Sequence, residues 1–275
     1  MITLTARRRA SVTPRMAYDA PIFTGLALFT ATTAIPLIAA SLIDTREFLN
    51  APVWQKPLQF HLALSTFIIT LAFFARFLPH GMTTRKWRIY AGIVTFCILA
   101  ELTWVGGAAA FGTASHFNIA SPVMAALYGL MGVFAVILTS PSLAMGIAIA
   151  RNPNTGLHPA LHLSIALGLI LTFILTVIAA GTMSSGTGHL IGTPSAHTSL
   201  PILGWSREVG DLRVPHFFAT HALHALPLIG FAACRILSTQ QARIAVWASA
   251  AAYCALIAAT MWQAFQGQPF LPFIG

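Results

Sequence analysis

Charged residues are scarce in this chain of 275 residues: they make up 8% of it, and only six are acidic. A soluble globular protein carries about 25% charged residues, so the composition excludes an ordinary soluble domain. Hydrophobic residues make up 57% of the chain, and the mean hydropathy is +0.78. Because apolar runs of about 20 residues also recur, we predict a multi-pass membrane protein.

Cysteine and lysine are also rare, and several sequence motifs are absent. All three cysteines lie in apolar runs, so neither a Cys-pair metal motif nor an external disulfide is predicted. The only lysines are Lys56 and Lys86, which argues against a retinal protein with a lysine in its last helix. The sequence has no His-His dipeptide, no GxSxG and no GxxxxGK[ST], which argues against a membrane desaturase, a nucleophile elbow and a phosphate loop.

The apolar runs predict an all-α fold, a helical bundle of seven transmembrane helices in a single domain covering residues 1–275. The predicted spans are near 21–43, 58–78, 88–111, 120–150, 158–181, 215–237 and 242–264. Each is close to the ~20 residues needed to cross the hydrocarbon. The first run is longer than the 7–15 apolar residues of a signal peptide, so we interpret it as a helix of the mature protein.

Basic residues fall mainly on one side of these spans. One side receives Arg7, Arg8, Arg9, Arg15, Arg76, Arg85, Lys86, Arg88, Arg151, Arg235 and Arg243, and the other receives Arg46, Lys56, Arg207 and Arg213. The positive-inside rule therefore places the basic tail 1–20 in the cytoplasm and the C-terminus outside. The excess of positive charge suits anionic membrane lipids and does not indicate nucleic-acid binding.

The predicted external side carries most of the motif-like sequence. Its first loop contains VWQKPLQF, its second contains SHFN, and its third, at about 182–214, leads into GWSREVGDLRVPHFFATHALHALPL. A loop longer than about 12–15 residues is usually functional or disordered. Leu200, Ile202, Leu203 and Trp205 make the third loop apolar in places, so we predict that it packs as a cap.

These three segments, in this order, resemble a family of bacterial multi-pass membrane proteins that has no assigned activity. The matching positions are Trp54, Lys56, Pro57, Glu101, Ser115, His116, Phe117, Asn118, Gly188, His189, Gly204, Trp205, Gly210, Asp211, Arg213, His216 and His221. The resemblance covers about residues 44–230 and implies a seven-span protein of the bacterial inner membrane. This chain departs from the family pattern at Gln59, at 108–111 and at His224.

Glu101 is the candidate for handling a proton. It lies about ten residues from the external end of the third predicted span, which is roughly 15 Å deep. An ionisable group at that depth is costly unless it is paired, protonated or facing water. The alternative is a protonated glutamate that is hydrogen-bonded inside the bundle.

The histidines near the external side are candidates for acid–base chemistry or for cofactor binding. On a straight helix, His221 and His224 are about 60° apart and share a face, whereas His216 and His221 differ by about 140°. We therefore expect His216 to act as an acid or base beside Asp211 and Arg213, which hold the cap or a substrate anion. Residues expected to bind a cofactor are His116, His189 and His221, and the predicted metal ligands are His116, His221 and His224. Haem b or a transition metal would suit such histidines.

Three functions remain open from the sequence. The first is a metal- or haem-dependent redox enzyme of the inner membrane, with a polar pocket at the external face. The second is a zinc-dependent membrane hydrolase of the ceramidase type, although the usual H-x3-H pair is missing from the sixth span. The third is a proton-coupled transporter or sensor without catalysis. A small-molecule substrate fits each function, and no partner subunit is indicated.

Overall fold

The computed structural model describes residues 12–200 and 203–271, so Arg7, Arg8, Arg9 and Ile202 lie outside the described residues. The elements in chain order are α1 (Val12–Asp19), α2 (Pro21–Ile43), β1 (Glu47–Phe48), β2 (Ala51–Pro52), α3 (Gln55–Phe74), α4 (Arg85–Ala110), α5 (Pro122–Ala150), α6 (Pro159–Ser184), β3 (Leu190–Ile191), β4 (Gly210–Asp211), α7 (Arg213–Thr220), α8 (Ala222–Ile236) and α9 (Thr239–Phe265). A single 3-10 turn, Ala75–Phe77, extends α3. The strands form two short antiparallel pairs, β1 with β2 and β3 with β4. The fold is therefore almost entirely α-helical, as predicted.

Within the described residues, six helices are long and apolar enough to cross a membrane, namely α2, α3, α4, α5, α6 and α9. Helices α7 and α8 pass the same test together and give a seventh span if the bent pair is counted as one. Each of the seven predicted apolar runs overlaps one of these helices or the bent pair, with ends that differ by at most three residues. The structure thus has the six or seven apolar helices typical of an integral membrane protein.

The two ends of the bundle differ in composition, and we name them accordingly. The loop-rich end carries the segments 44–54, 111–121, 185–212 and 266–271. The arginine-rich end carries α1 and the segments 75–84, 151–158 and 237–238, with the flanking basic residues Arg76, Arg85, Lys86, Arg88, Arg151, Arg235 and Arg243.

Close helix packing holds α6, α8 and the core together. A Cβ atom at Gly230 of α8 would lie 2.0 Å from the Ser164 hydroxyl of α6, and one at Gly168 would lie 2.9 Å from the Ala222 carbonyl. Small residues let helix backbones approach closely where lipid offers no hydrophobic driving force. The main apolar core lies between α2, α3, α4, α5, α6 and α8 and includes Phe23, Ile68, Leu71, Ile98, Met145, Leu169 and Leu223.

The helix pair α7 and α8 is bent by 50° at His221. At such a break the backbone loses helical hydrogen bonds, which is costly in hydrocarbon unless another group replaces them. The buried hydroxyl of Thr172 in α6 accepts a hydrogen bond from the Leu223 amide at 2.8 Å. Pro227 in α8 cannot donate to the Leu223 carbonyl, which weakens the same turn. A side chain of α6 therefore stabilises the bend within the bundle.

Candidate functional site

Asp211 fastens the long loop to the start of α7. Its carboxylate is buried and accepts hydrogen bonds from the backbone amides of Ser206 and Arg213, both at 3.0 Å. The Arg213 guanidinium pairs with the same carboxylate, with Nη2 2.6 Å from Oδ2, and also donates to the Gly204 carbonyl. Asp211 and Arg213 therefore hold the loop together, while the hypothesis that they also meet a substrate stays a prediction.

Glu208 holds the tip of the same loop in an equally local way. It accepts hydrogen bonds from the backbone amides of Ser195, Ala196 and Thr198 and from two of their hydroxyls. The backbone amides of Ala196 and Thr198 are the main cause that lowers the pKa of the Glu208 carboxyl to about 2. Charged at neutral pH, this carboxylate orders the loop from within.

Trp205 closes the loop onto the bundle. It is 5% exposed, and its ring lies against Phe217 and Phe218 of α7 and against Phe270 near the C-terminus, with centroid distances of 5.2–6.3 Å. This part of the loop is therefore packed, in line with the predicted cap.

Lys56 lies at the centre of the polar groups at the loop-rich end. It is the second residue of α3 and is half-buried, and its charge acts on both Arg213 and Glu101. Its Nζ atom lies 5.9 Å from the centroid of the Phe60 ring. Lys56 is not among the site residues predicted from the sequence, although its place in VWQKPLQF and the scarcity of lysine are signals that could indicate it.

His116 approaches Lys56 from the segment between α4 and α5. The indole of Trp104 donates to the Ser115 carbonyl at 2.6 Å and fixes this segment, and the Ser115 hydroxyl is 3.1 Å from His116 Nδ1. The ring of His116 also contacts the ring of Phe60. Burial, reinforced by the positive charge of Lys56, lowers the pKa of His116 to about 3, so its imidazole is neutral at physiological pH.

His189, in the long loop before β3, lies within electrostatic range of Lys56, Arg213 and Asp211. Its carbonyl accepts a hydrogen bond from the Leu212 amide, which ties β3 to the segment that precedes α7. Burial, followed by the positive charge of Arg213, lowers the pKa of His189 to about 4, although Asp211 opposes this shift. His189 is therefore a second neutral imidazole beside Lys56 and Arg213.

Glu101 points into the bundle from α4, about 14 Å below the loop-rich end of that helix. It is 2% exposed, and neither carboxylate oxygen has a hydrogen-bond partner among the described residues. The charged group that acts on it is Lys56. A buried carboxylate without hydrogen bonds is costly, so this position needs a reason beyond packing.

His216, His221 and His224 follow one another along the bent helix pair. The His221 and His224 Nδ1 atoms are 3.0 Å apart, and His224 Nε2 is 2.9 Å from the Thr70 hydroxyl of α3. His216 lies within electrostatic range of His221, and its Nδ1 has no partner among the described residues. The bend at His221 means that the angles expected for a straight helix do not apply here.

The hydrogen bonds of this group fix the proton positions when both imidazoles are neutral. The Thr70 hydroxyl donates to the Thr66 carbonyl at 2.7 Å, so it accepts from His224 Nε2. His224 Nδ1 is then an acceptor, and His221 donates to it from Nδ1. His221 consequently keeps an unprotonated Nε2, and His224 has both nitrogens engaged.

The predicted metal ligands His116, His221 and His224 do not form a metal site in the described residues. No group of three or more His, Cys, Asp or Glu side chains converges there as a ligand set. His221 and His224 direct their Nδ1 atoms at each other and lie one turn apart on one segment. Haem needs two axial histidines from facing helices, and this pair does not provide them.

Three further histidines, His61, His158 and His162, find hydrogen-bond partners close to where they lie. His61 Nδ1 is 2.8 Å from the Pro57 carbonyl in the same helix. His158 caps the start of α6, and His162 Nε2 is 2.7 Å from the Ile149 carbonyl.

The pocket predicted at the external face stays a prediction. A cavity of about 330 Å³ lies at the opposite, arginine-rich end, where it is lined by Ala150, Pro159, His162, Leu163, Ala166 and Arg243. At the loop-rich end the structure instead brings together Lys56, Glu101, His116, His189 and His216, which we call the polar centre.

The fold and the polar centre together define a multi-pass α-helical membrane protein with buried ionisable groups. Comparison with protein families, with curated proteins and with solved structures finds no match for the chain.

Proposed function

We propose that this chain is a proton-coupled membrane transporter or sensor in which Glu101 takes up and releases the proton. The observation that carries the proposal is a buried carboxylate, 2% exposed, with no hydrogen-bond partner among the described residues. Ionisable groups of this kind inside a membrane bundle typically mark proton relays or substrate paths. Lys56 supplies the positive charge that stabilises the ionised form of Glu101.

The bend between α7 and α8 supports transport or sensing over catalysis. Secondary transporters commonly place their sites at interrupted helices near the middle of the membrane. Here the interruption falls at His221, and the side chains around it connect α8 to α3 through His224 and Thr70. An interrupted helix of this kind can change its bend when a side chain at the break changes its charge.

The histidines provide a route for the proton from the loop-rich end toward the interior. His116 and His216 lie within electrostatic range of each other, as do His216 and His221, and His221 is hydrogen-bonded to His224. In this proposal His216 exchanges protons with water, and Asp211 with Arg213 keeps the loop over it. In this proposal the neutral imidazole of His189, which lies within electrostatic range of Lys56, adds no charge to the region around that lysine.

Neither of the two enzyme hypotheses has a ligand set to support it in the described residues. A redox metal, a haem or a catalytic zinc each needs nitrogen, sulfur or carboxylate donors that converge on one point. His221 and His224 instead contact each other through their Nδ1 atoms, and His116 contacts the Ser115 hydroxyl and packs on the Phe60 ring. We therefore place transport or sensing before catalysis.

We place the protein in a bacterial inner membrane with seven spans, the arginine-rich end in the cytoplasm and the loop-rich end outside. The support is the unequal distribution of basic residues, with eleven on one side and four on the other. The eleven include three arginines that lie outside the described residues. Reporter fusions near residues 85 and 240 should be active as cytoplasmic reporters, and fusions near 115 and 195 as external ones. Finding 182–214 in the cytoplasm would reverse the orientation and the direction of proton entry.

The proposal is tested by titrating Glu101 in the purified protein. Infrared difference spectra across a pH series should show a carboxyl band that is lost in Glu101→Gln, which keeps the size and removes the titration. Proteoliposomes with an internal pH dye should then show solute-dependent proton movement for the wild type and none for Glu101→Gln. If the glutamine variant moves protons normally while Glu101→Leu fails to accumulate, Glu101 has a structural role.

The same preparation discriminates against the enzyme hypotheses. An absorption spectrum and a metal analysis of wild type and of the His221/His224 double alanine variant should give no Soret band and no stoichiometric metal. A haem band or a bound metal that disappears in the double variant would restore the ligand role of these histidines and overturn the proposal.

A further inference from the structure

The ammonium group of Lys56 has no hydrogen-bond or ion-pair partner among the residues that the structure describes. Its one close contact is the face of Phe60, at 5.9 Å from Nζ to the ring centroid. An ammonium group is a donor of three hydrogen bonds. The Lys56 Nζ atom is not one of the buried nitrogen atoms without a partner, so it reaches the accessible surface, where a solute can meet it. Lys86 is exposed at the arginine-rich end. The half-buried lysine therefore offers donors that no described residue uses.

Other nitrogen donors face the same region. Gly204 has a φ of +67°, and a Cβ atom placed there would lie 3.3 Å from Gln55 Nε2 and 3.7 Å from Arg213 Nη1. Arg213 uses Nε and Nη2 for Asp211 and Gly204, which leaves Nη1 without a hydrogen bond to a described residue. The third nearest atom is Gln59 Nε2 at 3.9 Å, so the three atoms nearest to this position are all nitrogen donors.

The acidic groups near Lys56 are of two kinds. Asp211 is fully engaged by Arg213 and by two backbone amides. Glu101 acts on Lys56 through its charge, but the two side chains form no ion pair within 4.0 Å in the described residues. Lys56 therefore lies within electrostatic range of Glu101 in α4 and of Arg213, whose Nη1 atom borders the position beside Gly204.

We propose that the Lys56 ammonium, the Gln55 amide and the Nη1 atom of Arg213 bind a small oxyanion of the carboxylate or phosphate class, and that the binding of this oxyanion makes Glu101 take up one proton. The bound anion engages the Lys56 charge that otherwise stabilises the Glu101 carboxylate. A hydronium ion of the surrounding water then transfers a proton to one Glu101 carboxylate oxygen: one O–H bond of hydronium breaks, one O–H bond forms on Glu101, and a neutral water molecule remains. This inference rests on the proposed role of Glu101 and adds the substrate class and the coupling.

The groups that face this pair limit what else can take up the proton. Lys56 faces Arg213 from α7, Glu101 from α4, and His116 and His189 from the connecting segments. Glu101 faces Lys56, and Cys97 lies one turn away on its own helix. The two histidines are neutral and close to positive charges. A bound anion would offset these charges and favour uptake of a proton by either imidazole, so the experiment has to distinguish them from Glu101.

Calorimetric titration in two buffers of different ionisation enthalpy measures both affinity and proton uptake. The probes are acetate and inorganic phosphate in a chloride background, over a pH series. Wild type should bind one of them with uptake approaching one proton, since binding and protonation are linked reciprocally. Glu101→Gln should bind the anion without proton uptake, whereas His116→Gln and His189→Gln should keep the uptake.

Lys56→Met should weaken binding at least about tenfold, because a charge-assisted hydrogen bond is lost. Lys56→Arg, which keeps the charge, should retain part of the affinity. The matched control is Lys86→Met, which changes the other lysine, also the second residue of its helix, and should bind like wild type. If Lys56→Met fails to fold, the comparison of wild type with Glu101→Gln still decides the coupling.

A lipid phosphate could supply the same chemistry, so the titration is repeated in nanodiscs of phosphatidylcholine with and without phosphatidylglycerol. Loss of acetate binding only when phosphatidylglycerol is present identifies a headgroup as the occupant. Unchanged affinity in Lys56→Met, or unchanged proton uptake in Glu101→Gln, overturns the inference. A Glu101 that titrates in the infrared experiment while neither anion binds leaves the proposed function in place and removes this inference alone.

Discussion

The two ends of the bundle satisfy their polar groups in different ways. At the arginine-rich end, helix caps and backbone carbonyls supply partners: Thr84 and Ser238 cap α4 and α9, and His162 bonds to the Ile149 carbonyl. One longer-range side-chain contact there joins His158 to the Thr239 hydroxyl. At the loop-rich end the groups come from distant parts of the chain, as when Lys56 meets Glu101 and Arg213. Local satisfaction needs only helix ends, whereas distant charges brought together need a selective reason.

The largest expected difference between the ends concerns their aspartates. Asp211→Asn should reduce the free energy of unfolding by about 3 kcal/mol, because it leaves the guanidinium of Arg213 without its buried partner. The estimate is at the low end for a broken buried pair, since the Arg213 side chain is 32% exposed. Asp19→Asn removes the solvent-exposed pair with Arg15, at 3.4 Å, and should cost less than about 1 kcal/mol.

Reversible unfolding in detergent, followed by tryptophan fluorescence, measures both variants. Equal losses for the two aspartates would mean that the cap contributes no more to stability than a surface ion pair does. The contrast between the two ends would then lose its energetic basis.

A second contrast uses two buried threonines. Thr172→Val should cost about 1–3 kcal/mol, because the Leu223 amide at the bend would have no replacement partner in the hydrocarbon. Thr30→Val is the control: its hydroxyl bonds to the Leu26 and Ala27 carbonyls of its own helix, so its loss should change stability by less than about 0.5 kcal/mol. The same unfolding assay compares them, and an equally mild effect of both would show that the bend does not depend on Thr172.

Much of the fold could be predicted from the sequence because apolar runs are a direct record of helices that face lipid. The first predicted span, 21–43, coincides with Pro21–Ile43, where a polar residue follows the last apolar turn. The others differ from the helices by a few residues, because capping residues set where a helix begins: α9 begins after Ser238, three residues before the predicted span, and α5 begins after Ser121, two residues inside it. The bend at His221 could not be predicted, since it depends on a threonine from another helix.

The candidate site could be predicted only in part from the sequence, because contacts between distant segments also determine which side chains meet there. Glu101 stood out because a single acidic residue in an apolar run has a cost that sequence alone reveals. Lys56 lies at a helix start, where a lysine normally reaches water, so its burial depends on how the loops pack over it. The histidines were predicted as ligands from their types, but the direction of each ring is set by neighbours such as Thr70 and Phe60.

Two histidines, His224 and His162, offer a third, smaller contrast between the two ends. His224→Ala should cost about 1–2 kcal/mol, because it removes an acceptor from His221 Nδ1 and a donor from Thr70. His162→Ala should cost less than about 1 kcal/mol, because the Ile149 carbonyl keeps a hydrogen bond from the Asn152 amide. Thermal unfolding of the two variants in one detergent compares them, and a costlier His162→Ala would reverse the order.

The smallest expected effect is a local loosening of the long loop in acid. The folded pKa of His189 is about 4 against a usual value of 6.5, so between these values the unfolded loop binds a proton that the folded loop does not. Its contribution to stability is therefore complete above pH 6.5 and is lost as the pH falls toward 4. The folded pKa of Glu208 is about 2 against a usual 4.5, so its contribution is complete above pH 4.5 and is lost as the pH falls toward 2. Both groups therefore lower the stability of the folded loop as the pH falls.

Hydrogen exchange, corrected for its intrinsic pH dependence, should show falling protection at the amides of Ala196 and Thr198, with 151–158 at the other end as reference. His189→Gln should remove the upper part of this decline and Glu208→Gln should abolish the lower part by lowering protection already at neutral pH. Protection that stays constant in wild type down to about pH 3 would show that these groups do not hold the loop, because the linked loss of stability would then be missing.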